Sequence, residues 1–189
     1  MDNLNKIAKV GIKCVEMLHW LCVLLGAIVF GVTLAIPEQV MEVLKGMNAL
    51  GEFHIYSYMT NILLINIEDS FTLIKIALVA MIILCALMAM IARNVYLIFL
   101  TMEGKNKNVE EKGPFQKDVV RMIREIGIFF ISMPAISMIL SIIARLIVGS
   151  EFVELSVDLG SICIGVVVLC LSQVFAYGIS LQQEVDGLL

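Results

Sequence analysis

From residue 71 to residue 100 the chain reads FTLIKIALVAMIILCALMAMIARNVYLIFL, an apolar run broken by only two charges, Lys75 and Arg93. A helix gains about 1.5 Å per residue and the hydrocarbon core of a bilayer is about 30 Å thick, so about 20 apolar residues suffice to cross it. This stretch qualifies, and both charges lie close enough to its ends for their stems to reach headgroups. Three further stretches qualify in the same way: 15–36, which stops at Pro37, then 126–148 and 159–181. The expected fold is all-α, a polytopic membrane protein built as a four-transmembrane-helix bundle with short interfacial helices.

Composition agrees with that reading. Of 189 residues, 60% are hydrophobic and 16% charged, against roughly 45–50% and about 25% for a soluble domain. Mean hydropathy is +0.99. A water-soluble fold of this size cannot hide so much apolar surface, which excludes a conventional soluble enzyme, a nucleic-acid module and a disordered chain. A single membrane domain over 1–189 is the expectation, with no separate soluble catalytic domain. The net charge of −4 offers no bulk attraction for nucleic acid, so direct nucleic acid binding is not expected.

Charge placement predicts orientation, because short loops rich in Lys and Arg stay in the cytoplasm. Lys6, Lys9 and Lys13 precede the first span, and Arg93, Lys105, Lys107, Lys112, Lys117, Arg121 and Arg124 lie at or between spans two and three. The outer connection 37–70 carries only Lys45 against Glu38, Glu42, Glu52, Glu68 and Asp69, and the second outer connection holds Glu151, Glu154 and Asp158, with Arg145 at its edge. Four spans place both termini on one side, and the basic residues make that side cytoplasmic. A cleaved signal peptide competes for the first segment, but its apolar run exceeds the usual signal core, so the span is expected to be retained.

The connections carry patterns of their own. Leu4, Ile7, Ala8 and Val15 share one side of a helical wheel and Lys6, Lys9 and Lys13 the other, which reads as an amphipathic segment at the inner headgroup layer. In loop 37–70, Pro37 suits a first helical position, and Val40, Met41, Leu44 and Met47 then recur at helical spacing up to Gly51. Phe53, His54, Tyr56 and Tyr58 prefer the interface, and 59–67 is apolar but too short to cross. This loop is a cap over the outer ends, either a ligand-recognising lid or a plain anchor. In the inner loop 101–125, Pro114 looks like another helix start. Val119, Met122, Ile123 and Ile126 then share a face, so the segment should follow the inner interface and turn into span three. Its bases suit anionic lipid or an acidic partner.

Ionisable groups within lipid are costly unless they pair or snorkel, which makes each a candidate by default. Glu16 and His19, three residues apart near the inner end of span one and followed by Trp20, suit either interfacial solvation or a proton relay. Lys75 is expected to snorkel outward or to pair with Glu68 or Asp69. In span three, Pro134 stands between Ser132 and Ser137, with Gly127 a turn or two before; a proline there frees a carbonyl and bends the helix, for gating or for packing. Ser137 and Ser141 are four apart, as are Ser161 and Gly165, and small residues at that spacing let helices approach closely. On span four Gln173 and Tyr177, also four apart, are placed to hydrogen-bond across the bundle or to line a small polar cavity. Five cysteines, Cys14, Cys22, Cys85, Cys163 and Cys170, contain no C-x-x-C pair and read as small apolar residues.

The chain has no H-E-x-x-H, G-x-S-x-G, Walker or G-x-G-x-x-G motif. Glu110 and Glu111 sit in a polar loop, with Phe115 where the paired-glutamate motif of intramembrane proteases requires arginine. No catalytic residue, metal site or cofactor is predicted. What does stand out is Gly113-Pro114-Phe115, the basic amphipathic run through Arg121 to Gly127, and the stretch FAYGISLQQEVD at 175–186. In these and in overall layout the chain resembles the bacterial membrane proteins catalogued as domain of unknown function 2975, departing from them in its closing Gly187-Leu188-Leu189. The resemblance implies four spans, cytoplasmic ends, and frequent encoding beside a small helix-turn-helix regulator.

The favoured functional reading is a non-enzymatic sensor, regulatory or immunity-type partner in the bacterial cytoplasmic membrane. Gln182, Gln183, Glu184 and Asp186, an acidic tail without a base, would meet the regulator together with Arg121 and Arg124. The alternative is a small-molecule or ion transporter working as an oligomer. A haem-binding or enzymatic membrane protein is a lesser alternative, His19 and the methionines being its only axial ligands. Membrane lipids and further copies of the chain complete the expected partners.

Overall fold

The computed structural model describes residues 2–46, 52–55, 58–61, 67–104, 116–149, 153 and 155–186. Its elements are α1 (Asp2–Ala35), α2 (Pro37–Gly46), β1 (Glu52–Ile55), β2 (Tyr58–Asn61), α3 (Ile67–Met102), α4 (Lys117–Val148) and α5 (Leu159–Asp186). The four long helices are each long and apolar enough to cross a membrane, over Asn5–Ala35, Phe71–Met102, Lys117–Val148 and Leu159–Val185. The chain is an all-α, four-helix membrane protein, with one small hairpin in the first long connection.

Two expectations change. The amphipathic lead-ins to spans one and three are not separate interfacial helices. They continue without a break into α1 and α4, of 34 and 32 residues, or about 51 and 48 Å at the usual rise. The lead-in and the span differ in polarity, and polarity change does not interrupt the i to i−4 ladder; only a missing N–H or a strained backbone does that. The second change is β1 and β2, which pair antiparallel with register Glu52↔Asn61, Phe53↔Thr60, His54↔Met59 and Ile55↔Tyr58. The aromatic stretch expected at the interface thus includes a strand pair.

The helix ends follow local chemistry. Pro37 has no N–H to continue α1 and instead opens α2, with Glu38 in the first turn where the helix dipole favours an acid. α2 confirms the short helix expected from Pro37 onward; Met47 and Gly51 lie outside the described residues, as do Pro114 and the rest of 105–115. α3 closes on Gly104 at φ 66°, whose N–H reaches the Thr101 carbonyl at 3.0 Å. α4 closes on Gly149 at φ 114°, whose N–H bonds the Arg145 carbonyl at 3.0 Å. Both backbones are left-handed, where a side chain would be strained.

The chain divides into two compact units, and α1, α3 and α4 each supply a segment to both. One unit comprises Met1–Leu18, Met88–Ser132 and Gly160–Leu189. In it Ala89, Ile91 and Ala92 of α3 and Val119, Met122 and Ile126 of α4 are buried, so the apolar face read from the α4 lead-in turns into protein. The other comprises His19–Leu87 and Met133–Leu159. Its centre is Leu73, Ala144 and Val153, with Ile76 and Val148 packed around them.

Burial is uneven among the spans. In the most apolar window of α3 or α4, 33% of residues are buried, against 11% in α1 and α5. Trp20, Leu24, Ile28, Val167 and Val174 are all exposed, the arrangement expected of helices whose outer faces meet lipid. Hydroxyls along the spans bond their own helix: Thr33 to the Val29 carbonyl at 2.7 Å, Ser132 to Ile128 at 2.8 Å and Ser172 to Leu169 at 2.7 Å.

At one crossing the backbones of two helices meet directly. A Cβ built on Gly127 of α4 would stand 2.9 Å from the Gly165 carbonyl oxygen, and one on Gly165 of α5 would stand 2.8 Å from the Gly127 oxygen. Leu169 and Ile131 side chains also crowd these positions, but backbone obstructs in both directions, so two glycines let the helices meet main chain to main chain. The close approach expected of Gly165 is thus present, and Gly127 belongs to it.

Candidate functional site

Several charged residues of the first unit meet polar or aromatic partners, in three groups. Lys9, Lys13 and Glu16 recur at intervals of four and three on α1, so they share a face. Lys13 Nζ lies 2.8 Å from Glu16 Oε2, and 5.0 Å from the centroid of the Tyr96 ring on α3. Seven residues beyond Tyr96, two turns on and hence on the same face, Glu103 accepts a hydrogen bond from Lys9. The lysine face of the lead-in therefore packs against α3, while Ile7 and Val10 on other sides are exposed. This reverses the usual soluble pattern, as suits a helix whose surroundings are apolar.

Asn94, two residues from Tyr96, points elsewhere. Buried to 7% exposure, it donates from Nδ2 to Glu125 Oε2 on α4 at 2.9 Å. Arg121 approaches Glu125 Oε1 at 3.7 Å and Asp118 Oδ1 at 3.5 Å, both within α4. Within this unit α1 is thus tied to α3 by charge, α3 to α4 by an amide and carboxylate, and α4 to α5 by the glycine pair. The exposed Arg121 contacts contribute little, about 0.3–0.5 kcal/mol each. The buried Asn94 bond contributes more, about 1.5–3 kcal/mol, because its acceptor is charged and its donor has no water to return to.

The candidates read from the sequence are dispersed. Glu16 is buried at 7% exposure and its carboxylate is held by Lys13; His19 is half-buried and makes an interaction of its own. Lys75 lies half-buried in the second unit with its ammonium 4.2 Å from the centroid of the Phe71 ring, while the side chains of Glu68 and Asp69 lie outside the described residues. Gln173 and Tyr177 are exposed, Tyr177 to 66%. The expectation that they line a polar cavity or bridge the bundle is corrected by α5, whose packed face runs through Gly165 and Ser172 and leaves these two pointing away.

Gln182, Gln183 and Glu184 are exposed on the last turns of α5. Asp186 is its final helical residue, with a side chain outside the described residues. Arg124 is exposed, and Arg121 has a side chain 68% exposed.

Lys9, Asn94, Tyr96, Glu103 and Glu125 belong to the site and are not among the site candidates that the sequence offers. Asn94 and Glu125 carried a usable signal, being polar residues at the edge of apolar runs. Among the described residues no group of three His, Cys, Asp or Glu gathers to hold a metal ion. What these groups can do chemically is fasten helices and present charge at one end. No family model, curated protein or solved structure matches the chain.

Proposed function

We propose that this multi-pass protein resides in a bacterial cytoplasmic membrane with both termini inside, and serves as the regulatory or immunity-type partner of a cytoplasmic helix-turn-helix regulator. It is read as non-enzymatic and as related to domain of unknown function 2975. The observation that carries the reading is the end of α5. Its last turns carry Gln182, Gln183 and Glu184 exposed, and this acidic segment has no base to neutralise it. Lys9, Lys13, Asn94 and Glu125 are occupied in joining helices and Glu16 in pairing with Lys13, while the α5 tail, Arg121 and Arg124 are exposed. A basic DNA-binding domain is the complementary partner. Exposed apolar faces on α1 and α5 supply the contact with lipid or with a second copy.

Deleting residues 182–189 is expected to abolish co-purification of the neighbouring regulator while leaving the membrane protein inserted. Retained capture would sink the reading. Orientation is checked separately with carboxy-terminal fusions: a fluorescent protein should glow and an alkaline phosphatase should stay inactive, and an active phosphatase would place that end outside.

The transport reading keeps one supporting observation, the buried carboxylate of Glu16. In proteoliposomes a transporter would give proton-coupled uptake that Glu16→Gln removes. No uptake from either protein is the outcome that the regulatory reading requires.

A further inference from the structure

Gln173 stands one residue past the middle of the span Leu159–Val185. It is exposed there, and among the described residues its amide has no hydrogen-bond partner. Headgroups lie about 15 Å from a bilayer midplane on either side, beyond the reach of a glutamine side chain. An amide facing hydrocarbon has lost water and gained nothing in return, which is costly. What would relieve it is a polar group at the same depth, brought by another molecule. The surface of α5 around Gln173 divides into two stripes. Cys163, Val166, Cys170, Gln173, Tyr177 and Ser180 follow one another at alternating intervals of three and four, and all are exposed. That is the repeat with which one helix meets another along a seam. Beside it Ile164, Val167, Leu171 and Val174, exposed as well, form a second stripe that is wholly aliphatic and needs nothing but lipid. The first stripe differs in kind. Valine apart, each member is polar or a thiol, and the small Cys170 leaves room for close approach next to the amide.

We propose that the polar stripe is the contact between two copies of the chain, paired α5 to α5 about a two-fold axis along the membrane normal. Copies inserted the same way run parallel, so each stripe residue meets its own counterpart. A carboxamide carries donors and an acceptor together. Two Gln173 side chains at one depth therefore satisfy each other, N–H to carbonyl in both directions. A second copy brings the complementary group to that depth by necessity, whereas an unrelated protein does so only by coincidence. The aliphatic stripe then stays against lipid, and the side through Gly165 and Ser172 stays packed within the chain. The inference rests on the four-span fold and needs no regulator.

The test uses the full chain in membrane vesicles from expressing cells, where every copy is inserted in one orientation. Cys170, exposed and three residues before Gln173 on the stripe, is the reporter. Brief treatment with copper phenanthroline oxidises neighbouring thiols to a disulfide, and peptide mass spectrometry identifies what Cys170 has joined. The expected product is a covalent dimer linked Cys170 to Cys170. Moving the thiol to the aliphatic stripe, with Cys170→Ser and Leu171→Cys together, should yield no peptide linked through residue 171. Gln173→Leu should lower the yield of linked dimer about tenfold, in line with polar contacts between spanning helices. Gln173→Asn, which keeps the amide, should retain it. Absence of the linked dimer in the wild-type chain overturns the proposal, as does an undiminished dimer in Gln173→Leu or equal linkage from Leu171→Cys. A Cys170 peptide joined to a different protein overturns it too, and assigns the stripe to that partner.

Discussion

Gly165→Leu is expected to lower the folding equilibrium constant about a hundredfold, a loss of about 3 kcal/mol. The reason is the carbonyl of Gly127, which would lie 2.8 Å from the first added carbon, with Ile131 N at 3.2 Å. Backbone cannot rotate aside as a side chain can, so α5 must move away from α4. Separation then removes the contacts along the crossing as well as relieving the clash. Gly127→Leu should do the same from the other side, its first carbon meeting the Gly165 oxygen at 2.9 Å. Gly31 is the control. No atom lies within 4 Å of its Cβ position, and replacing glycine by alanine in a helix stabilises by about 0.8–1.0 kcal/mol. Unfolding in mixed micelles with increasing denaturing detergent measures all three. Equal midpoints for Gly165→Leu and Gly31→Ala would remove the glycine crossing as an explanation of the α4 and α5 contact.

Lys13→Met is expected to cost about 2 kcal/mol, although methionine matches the length and the apolar stem of lysine. The cost lies in Glu16, whose side chain is 9% exposed against 44% for Lys13 and whose carboxylate would be left without its cation. A buried charge deprived of its partner is more destabilising than the pair was stabilising, and water reaching the Lys13 side brings the loss below the roughly 3–5 kcal/mol of a fully buried pair. The double variant Lys13→Met with Glu16→Leu removes both charges and should recover most of the stability. The same micelle unfolding assay gives the four corners of the cycle. Equal losses in the single and double variants would show that Glu16 does not depend on Lys13.

The spans were legible because hydropathy alone carries them. The expected third and fourth spans end and begin at the residues where α4 ends and α5 starts, Val148 and Leu159. Pro37 marked the end of the first, since a residue without an N–H interrupts a helix whatever its surroundings. Where the reading fell short, the missing information was not local. Lys9 and Glu103 are on different helices, as are Asn94 and Glu125, and only the packing register tells which charge meets which. The hairpin was obscured for another reason. Tyr56 and Ser57 between the strands lack the glycine or asparagine that advertises a two-residue turn, leaving only the aromatic and β-branched content of Phe53, Ile55, Tyr58 and Thr60 as a sign. For the candidate site, Gln173 and Tyr177 were correctly placed on one face of span four. Which face α5 would pack was decided by Gly165, whose contact with Gly127 left the other side outward.

The hydroxyls of Thr33, Thr101, Ser132, Ser172 and Ser180 each donate to a carbonyl three or four residues back on the same helix. Each of these groups is therefore satisfied before any neighbouring helix exists. During synthesis a helix can leave the insertion channel for lipid singly, carrying none of these hydroxyls unpaired. Asn94 and Glu125 behave differently, because each completes its bond only when the other helix has arrived. Assembly of the nascent protein thus has a natural order in time, with self-contained segments entering first and the amide–carboxylate bond closing only after α4 has been made.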